Sequence, residues 1–245
     1  MCGRMSLTTP DLPELLVRLN GTPGGFVDVD QEVPLLYHPR YNVAPGQLHP
    51  VLRGQPEGPC ARLVFAHWGM LARGPSRPPS INARAETASV QPAFRAAFST
   101  RRCVIPADGF FEWQNQPEGR RPLWFHRRDG NLLLMAGLYD DPRPDGDAPV
   151  RFVILTTAPN QLVAPVHDRM PAILSPEEAA AWLREPTQDF LHAAPEDLLV
   201  ATPVSLRVNS VKNDDPACLA PPPAPAQLDL FDRGIRRAIE AARRG

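Results

Sequence analysis

The chain has 245 residues, an apolar fraction of 43%, a charged fraction of 22% and a formal net charge of −1. That is enough chain for one domain with a buried core, and no apolar run approaches the roughly 20 residues of a membrane span. The balanced charge excludes a globally cationic nucleic-acid binder, although between Arg73 and Arg128 ten arginines stand against four carboxylates, a local excess that could form a basic face.

In chain order, Thr9-Pro10 followed by DLPELLVRLN reads as a capped helix with Pro in its first turn, and GFVDVD after Gly24-Gly25 as a short strand. RRCVIPA, GFFEWQ, RPLWFHRR and NLLLMAGLYD are short apolar or alternating runs of strand character, and Asp129-Gly130 between the last two is a hairpin-turn signal. VRFVILTTA and LLVATPVS extend the pattern. Between them, SPEEAAAWLREP places Ser175, Pro176 and Glu178 at the N-cap, N1 and N3 positions of a capping box, with Pro186 at the exit. Strands without regularly interspersed helices predict an α+β domain over 1–218, built on a curved, largely antiparallel, barrel-like sheet with flanking helices. A Pro/Ala linker follows at 219–226. The tail at 227–245 carries Ile235, Ala238, Ile239 and Ala242 at helical spacing between arginines.

The N-terminus shows no basic stretch followed by an apolar core and no cleavage site, so a cytoplasmic, monomeric protein with reduced thiols is expected. Cys2, Cys60, Cys103 and Cys218 form no CxxC pair and no Cys/His cluster at zinc-ligand spacing, so neither disulfides nor a structural metal is expected, and no cofactor is implied. Lys212 is the only lysine. The other cations are guanidiniums, which do not deprotonate to become nucleophiles.

Position 2 changes that picture. Initiator methionine is normally removed before a small residue, which leaves Cys2 with an α-amine and a thiol on adjacent carbons. An α-amine titrates near ~8, against ~10.4 for lysine, so part of it is neutral and nucleophilic at physiological pH. Attack on an aldehyde gives a carbinolamine and then a Schiff base, and the tethered thiol can close a five-membered thiazolidine. An internal cysteine cannot do this.

Eight ordered blocks accompany Cys2: MCGR at 1–4, YNVAPGQ at 41–47, HWGM at 67–70, NARAET at 82–87, RRCVIPADGFFEW at 101–113, AGLYD at 136–140, TTAPNQLVAPVHDRMPAIL at 156–174 and PVSLRVNSVKNDDPAC at 203–218. Together they resemble the SOS response-associated peptidase (SRAP) family of abasic-site processing proteins. The resemblance implies single-stranded DNA containing abasic sites as partner, and Cys2 as nucleophile with Asn82, Arg84, Glu112 and His167 lining the pocket. Glu112, between two aromatics in the sequence, is read as the acid that opens the closed sugar, or else as a member of a structural ion pair. His167 is read as a proton-transfer group, or as a histidine satisfied by Asp168. Asn82 would orient Cys2 or the sugar, and Arg84 would hold a phosphate. For Arg4 and Arg169 phosphate holding and a structural role are both open, as is a loop-fixing role for Asn42. Trp68 and Trp113 are read as base-stacking platforms or core residues. After Met70 the chain reads LARGPSRPPSI where the family commonly carries further aromatics. QLDLF at 227–231 resembles the peptide that engages the bacterial sliding clamp, through Gln227, Leu228, Leu230 and Phe231, unless it is simply the start of a helix. The rivals to aldehyde capture are an autoproteolytic N-terminal cysteine peptidase or amidase, and a non-enzymatic DNA-binding or clamp adaptor.

Overall fold

A computed structural model describes residues 2–20, 27–54, 61–70, 78–117, 119–140 and 149–223. Its elements begin with β1 (Met5–Leu7), α1 (Leu12–Asn20), β2 (Val27–Val29), α2 (Val33–Leu36), β3 (Arg40–Val43), β4 (Leu48–Gly54) and β5 (Ala61–Trp68). They continue with β6 (Asn82–Arg84), α3 (Ala85–Ala88), α4 (Arg95–Thr100), β7 (Arg102–Ala107), β8 (Gly109–Gln116), β9 (Gly119–Arg127) and β10 (Leu133–Asp140). The last are β11 (Arg151–Thr157), β12 (Met170–Pro171), β13 (Ile173–Leu174), α5 (Pro176–Arg184) and β14 (Leu199–Pro203), followed by 3-10 turns at Leu206–Asn209 and Pro216–Cys218. The expected mixed α+β fold on large curved antiparallel sheets is what forms.

One sheet closes on itself. Strands β11, β10, β7, β4 and β5 pair antiparallel in that order, and β5 returns to β11 in parallel through Arg151↔His67 and Phe152↔Trp68. Side-chain alternation then sorts every ring strand into an inner and an outer face. Inside lie Val51, Val64, Ala66, Trp68, Cys103, Ile105, Leu133, Met135, Phe152 and Ile154 as one buried cluster. Outside, Leu52, Leu63, Val104, Leu134, Leu138 and Val153 meet Leu15, Phe98 and Trp182 of the covering helices. Burial on both faces is why NLLLMAGLYD is almost continuously apolar instead of alternating. Gly137 in that run belongs to the inner set, where a Cβ would meet Ile105 and lie 2.7 Å from the Val153 carbonyl oxygen, so a larger residue would strain the ring.

The second sheet has the order β14-β9-β8-β1-β3, antiparallel throughout, and its Met5, Phe110, Phe125 and Leu199 join the ring's inner cluster. Here one expectation is corrected. Asp129 and Gly130 do make a turn, with Gly130 at φ 73°, but β9 and β10 do not pair: β9 belongs to the second sheet and β10 to the ring. The turn is a crossing between sheets. The real hairpin is β8–β9, paired from Gly109↔His126 to Gln116↔Gly119, with Gly119 at φ 126°.

Helix α5 has the expected capping box, with Glu178 N–H donating to Ser175 Oγ and Ser175 N–H to the Glu178 carboxylate at 3.1 and 2.7 Å. Its other end meets Arg102, a buried guanidinium that donates to the carbonyls of Trp182 at 2.7 Å and Arg184 at 3.0 Å, and to those of Phe98 and Ser99 in α4 at 3.0 and 2.5 Å. One cation thus closes the C-terminal ends of two helices, where the dipoles favour positive charge. Arg102→Met would leave these carbonyls with no donor, and should lower unfolding free energy by roughly 3 kcal/mol in urea titrations. A loss under ~1 kcal/mol would show that water replaces the guanidinium.

Backbone bonding continues to Ala220, whose carbonyl accepts Ser205 N–H at 2.8 Å. The clamp-like residues Gln227, Leu228, Leu230 and Phe231 lie outside the described residues. No described helix is long and apolar enough to cross a membrane.

Candidate active site

Strand β1 runs antiparallel to β8, with Met5↔Phe110, Ser6↔Gly109 and the Phe111 N–H donating to the Arg4 carbonyl at 2.9 Å. Continuing this register places Gly3 opposite Glu112 and Cys2 one position beyond it. Cys2 is completely buried at the edge of the inner cluster, its Sγ 3.8 Å from the Arg4 carbonyl oxygen. From the ring side, β6 lies parallel to β11 through Ile154↔Asn82, and Asn82 Nδ2 donates to the Cys2 carbonyl at 2.8 Å. Asn82 Oδ1 is buried and, among the described residues, accepts no hydrogen bond. The two sheets therefore meet over the start of the chain, one contributing Asn82 and the other Glu112.

Glu112 is 4% exposed, and burial raises its carboxyl to about 7, opposed first by the N-terminal ammonium and then by Arg120, with Asp168 adding to the rise. The source of that burial differs from the sequence reading. Phe111 and Trp113 flank Glu112 in the chain, but alternation turns them to the opposite face, where they pack with Val204, Val208 and Cys218. Glu112 shares the face of Phe110, toward the inner cluster. Burial, then the charge of Glu112, also pushes the Cys2 thiol well above its ordinary value, so it stays protonated at neutral pH.

His167 titrates below its ordinary value, chiefly through burial, then through the N-terminal ammonium, with Arg120 a smaller contribution. Its Nδ1 accepts the Arg169 backbone N–H at 3.0 Å, while Asp168 Oδ1 lies 3.0 Å from the same nitrogen. These two neighbours ask for opposite tautomers. The amide is fixed by the backbone, whereas the Asp168 side chain is 85% exposed and can turn to water, so the amide decides. The neutral ring then carries its proton on Nε2.

The remaining predicted residues divide sharply. Arg84 is exposed at the end of β6. Arg169 is bidentate to Glu86 at 2.7 and 2.8 Å and also donates to the Thr156 carbonyl, which ties α3 to β11 and holds the Glu86 carboxyl below its usual range. Arg4 donates to Asn42 Oδ1 at 2.6 Å and to the Val208 carbonyl at 2.7 Å, with its guanidinium 5.5 Å from the centre of the Trp113 ring. Asn42 itself donates to the carbonyls of Val208, Ser210 and Asn213, and so fixes the segment after β14. Trp113 is half-buried and donates to Asn209 Oδ1 at 2.7 Å. Trp68 as a base platform is corrected: it is 1% exposed, stacks on Phe152 at 6.1 Å and donates to the Ile81 carbonyl. Arg73 and Arg77 lie outside the described residues, and the other eight arginines of that stretch do not make one face, since Arg102 is internal, Arg101 pairs with Asp140 and Arg127 with Asp129.

Two contributors were invisible in the sequence. Asp214 accepts the backbone N–H groups of Tyr41 and Asn42 at 2.6 and 2.9 Å and pairs with Arg40, but no spacing connects 214 to 40. Arg120 acts on both Glu112 and His167 because the β8–β9 hairpin folds back.

Fold and site together define an α+β protein in which Asn82 and Glu112, from two different sheets, gather around its own second residue. The chain belongs to the SRAP family: a family model described as SOS response associated peptidase (SRAP) matches residues 1–211. It is 36% identical over 235 residues to the Bacillus subtilis abasic site processing protein YoqW, covering 88% of this chain and 97% of that one. With the Escherichia coli abasic site processing protein YedK it shares 33% identity over 232 residues, 90% of this chain and all of the relative. A crystal structure of a Bacteroides thetaiotaomicron protein has the same fold, with a TM-score of 0.72 at 23% identity, over 90% of this chain and 99% of that one.

Proposed function

We propose that this chain processes abasic sites in single-stranded DNA by trapping the sugar aldehyde on Cys2 as a thiazolidine, once Met1 has been removed. The observation that carries the reading is the gathering of a buried Cys2, a carboxyl raised by burial and a neutral histidine in one electrostatic neighbourhood. Relatives named as abasic site processing proteins support the substrate.

The steps follow from the protonation states. A baseless deoxyribose is mostly a closed hemiacetal. Glu112, protonated below about 7, gives its proton to the ring oxygen, its other carboxylate oxygen takes the anomeric hydroxyl proton, the C1′–ring oxygen bond breaks and C1′ becomes an aldehyde. Because the thiol is held protonated, the α-amine is the first nucleophile, forming an N–C1′ bond and a carbinolamine. Glu112 protonates the departing hydroxyl, to which His167 Nε2–H donates a hydrogen bond, water leaves, and the iminium N–H proton returns to the carboxylate to give the Schiff base. Finally the S–H adds across the C=N bond, sulfur to C1′ and the proton to nitrogen. The net change is protein plus DNA minus one water. Asn82 holds the Cys2 carbonyl during these steps, Arg84 grips a phosphate, and the open side of Trp113 meets an unpaired base. A raised thiol pKa works against the peptidase reading, which needs a thiolate.

Intact mass spectrometry tests this directly. The purified protein should lack Met1, and after mixing with an abasic oligonucleotide should gain the oligonucleotide's mass less one water. A fully reactive protein that keeps Met1, or two unchanged masses, overturns the reading.

A further inference from the structure

We propose that Glu86 is a positioning residue for His167: its two-pronged ion pair with Arg169 holds in place the backbone amide that keeps the neutral His167 ring protonated on Nε2. This rests on the function proposed above, in which Nε2–H donates to the departing hydroxyl.

His167 is carried by the segment between β11 and β12. Its own N–H donates to the Val163 carbonyl at 3.0 Å, and its Nδ1 accepts the Arg169 N–H at 3.0 Å. Strand β12 is two residues long, so pairing with β11 alone gives the neighbouring Arg169 little hold. The Arg169 side chain supplies the rest. β6 pairs with β11 as far as Thr156↔Arg84 and then turns into α3, and at that point the Arg169 guanidinium donates to the Thr156 carbonyl. Its Nη1 and Nη2 meet the two Glu86 carboxylate oxygens at 2.7 and 2.8 Å. A fork set on a fork in this way fixes the plane of the guanidinium as well as its distance. Glu86 follows closely on Asn82, whose Nδ2 donates to the Cys2 carbonyl at 2.8 Å. One ion pair therefore registers the segment bearing His167 against the segment that holds Cys2.

Stability is not what the pair is placed to supply. The Glu86 side chain is 51% exposed, and ion pairs open to water to that degree contribute little to folding. What the pair controls is a competition for His167 Nδ1. The Arg169 amide donates to that nitrogen, whereas Asp168 Oδ1, also 3.0 Å away, can only accept a proton from it. Once the amide withdraws, the ring proton moves to Nδ1 to face Asp168. Nε2 then becomes an acceptor and no longer donates to a leaving hydroxyl.

The test reads the ring directly, by nitrogen NMR of the full chain carrying isotope-labelled histidine, with the His167 signals assigned by difference against His167→Asn. In mildly alkaline solution, where the ring is neutral, the wild type should show a bare Nδ1 and a protonated Nε2. Glu86→Ala should shift the population toward Nδ1–H. It should also lower the saturating rate of single-turnover crosslinking to an abasic oligonucleotide about 10-fold, within the contribution of one proton-transfer group, and leave the half-saturating concentration unchanged. Glu86→Gln, which keeps one acceptor for Arg169, should fall between Glu86→Ala and wild type on both readouts. Removing the rival acceptor in Glu86→Ala/Asp168→Asn should return the ring proton to Nε2. Wild-type ring signals or a wild-type saturating rate in Glu86→Ala overturns the assignment while leaving the proposed function standing. A loss confined to half-saturation also overturns it, since Glu86 would then serve DNA binding. If Glu86→Ala does not fold, the near-isosteric Glu86→Gln decides by the same criteria. A wild-type protein that forms no crosslink overturns the proposed function, while the ring signals, read without DNA, still decide whether Glu86 sets His167.

Discussion

Cys2→Ala and Cys2→Ser should each lower the yield of heat-stable DNA adduct at least ~10³-fold, even though both keep a reactive α-amine. The thiol contributes through tethering: it reaches the C=N carbon without a second encounter, an advantage worth effective molarities of 10⁵ M or more in well-oriented systems. Without it the chemistry should stop at the Schiff base, which hydrolyses on heating. Borohydride, which reduces the imine to a stable amine, should therefore recover a band with both variants, whereas untreated samples should show none on a denaturing gel. Ala and Ser are small enough for Met1 removal to continue. Cys2 lies at the end of the chain, so the lost side chain leaves a cavity that a free terminus can partly fill, and folding should survive. A heat-stable adduct from Cys2→Ala would remove the sulfur from the mechanism.

The proposal for Cys2 and its chemistry comes from the sequence, because an N-terminal aminothiol needs no fold to define it. Local signals also translated directly. The Ser175/Glu178 capping box, the strand character of RRCVIPA and VRFVILTTA, and the extended stretch from Asn82 to Arg84 depend on residues a few positions apart. What failed were inferences about which element lies beside which. Asp129-Gly130 specifies a turn, but whether its flanking strands pair is decided by the ring, which claims β10 through β7 and β11. Phe111 and Trp113 looked like the walls around Glu112 until strand alternation sent them to the other face. Trp68 is drawn inward because ring closure through Phe152↔Trp68 makes its face the interior one. Asp214 and Arg120 act across long sequence separations, where neither periodicity nor spacing carries information.

Glu112→Gln should slow single-turnover crosslinking about 10²-fold at pH 6.5, within the usual contribution of a positioned acid, without weakening the fold. The two pH dependences distinguish an acid from a strut. In the wild type the rate of sugar opening falls as pH rises through about 7, where Glu112 loses its proton, while the fraction of neutral α-amine still increases toward its pKa near ~8. The product is a bell, and glutamine, which has no proton to lose there, should abolish its descending limb. Stability runs the other way. The folded carboxyl titrates near 7 and the unfolded one near ~4.3, so the native state binds the extra proton between these values, and its stabilising contribution, complete below the lower value, is lost as pH rises through the higher. Above that point the wild type carries a buried negative charge that the neutral amide avoids, and urea midpoints for Glu112→Gln at pH 8 should equal or exceed those of wild type. A variant that is slow and also markedly less stable at pH 8 would instead make Glu112 a structural anion held by Arg120. Slow chemistry on an undiminished fold is the result expected of a carboxyl buried to keep its proton for the sugar.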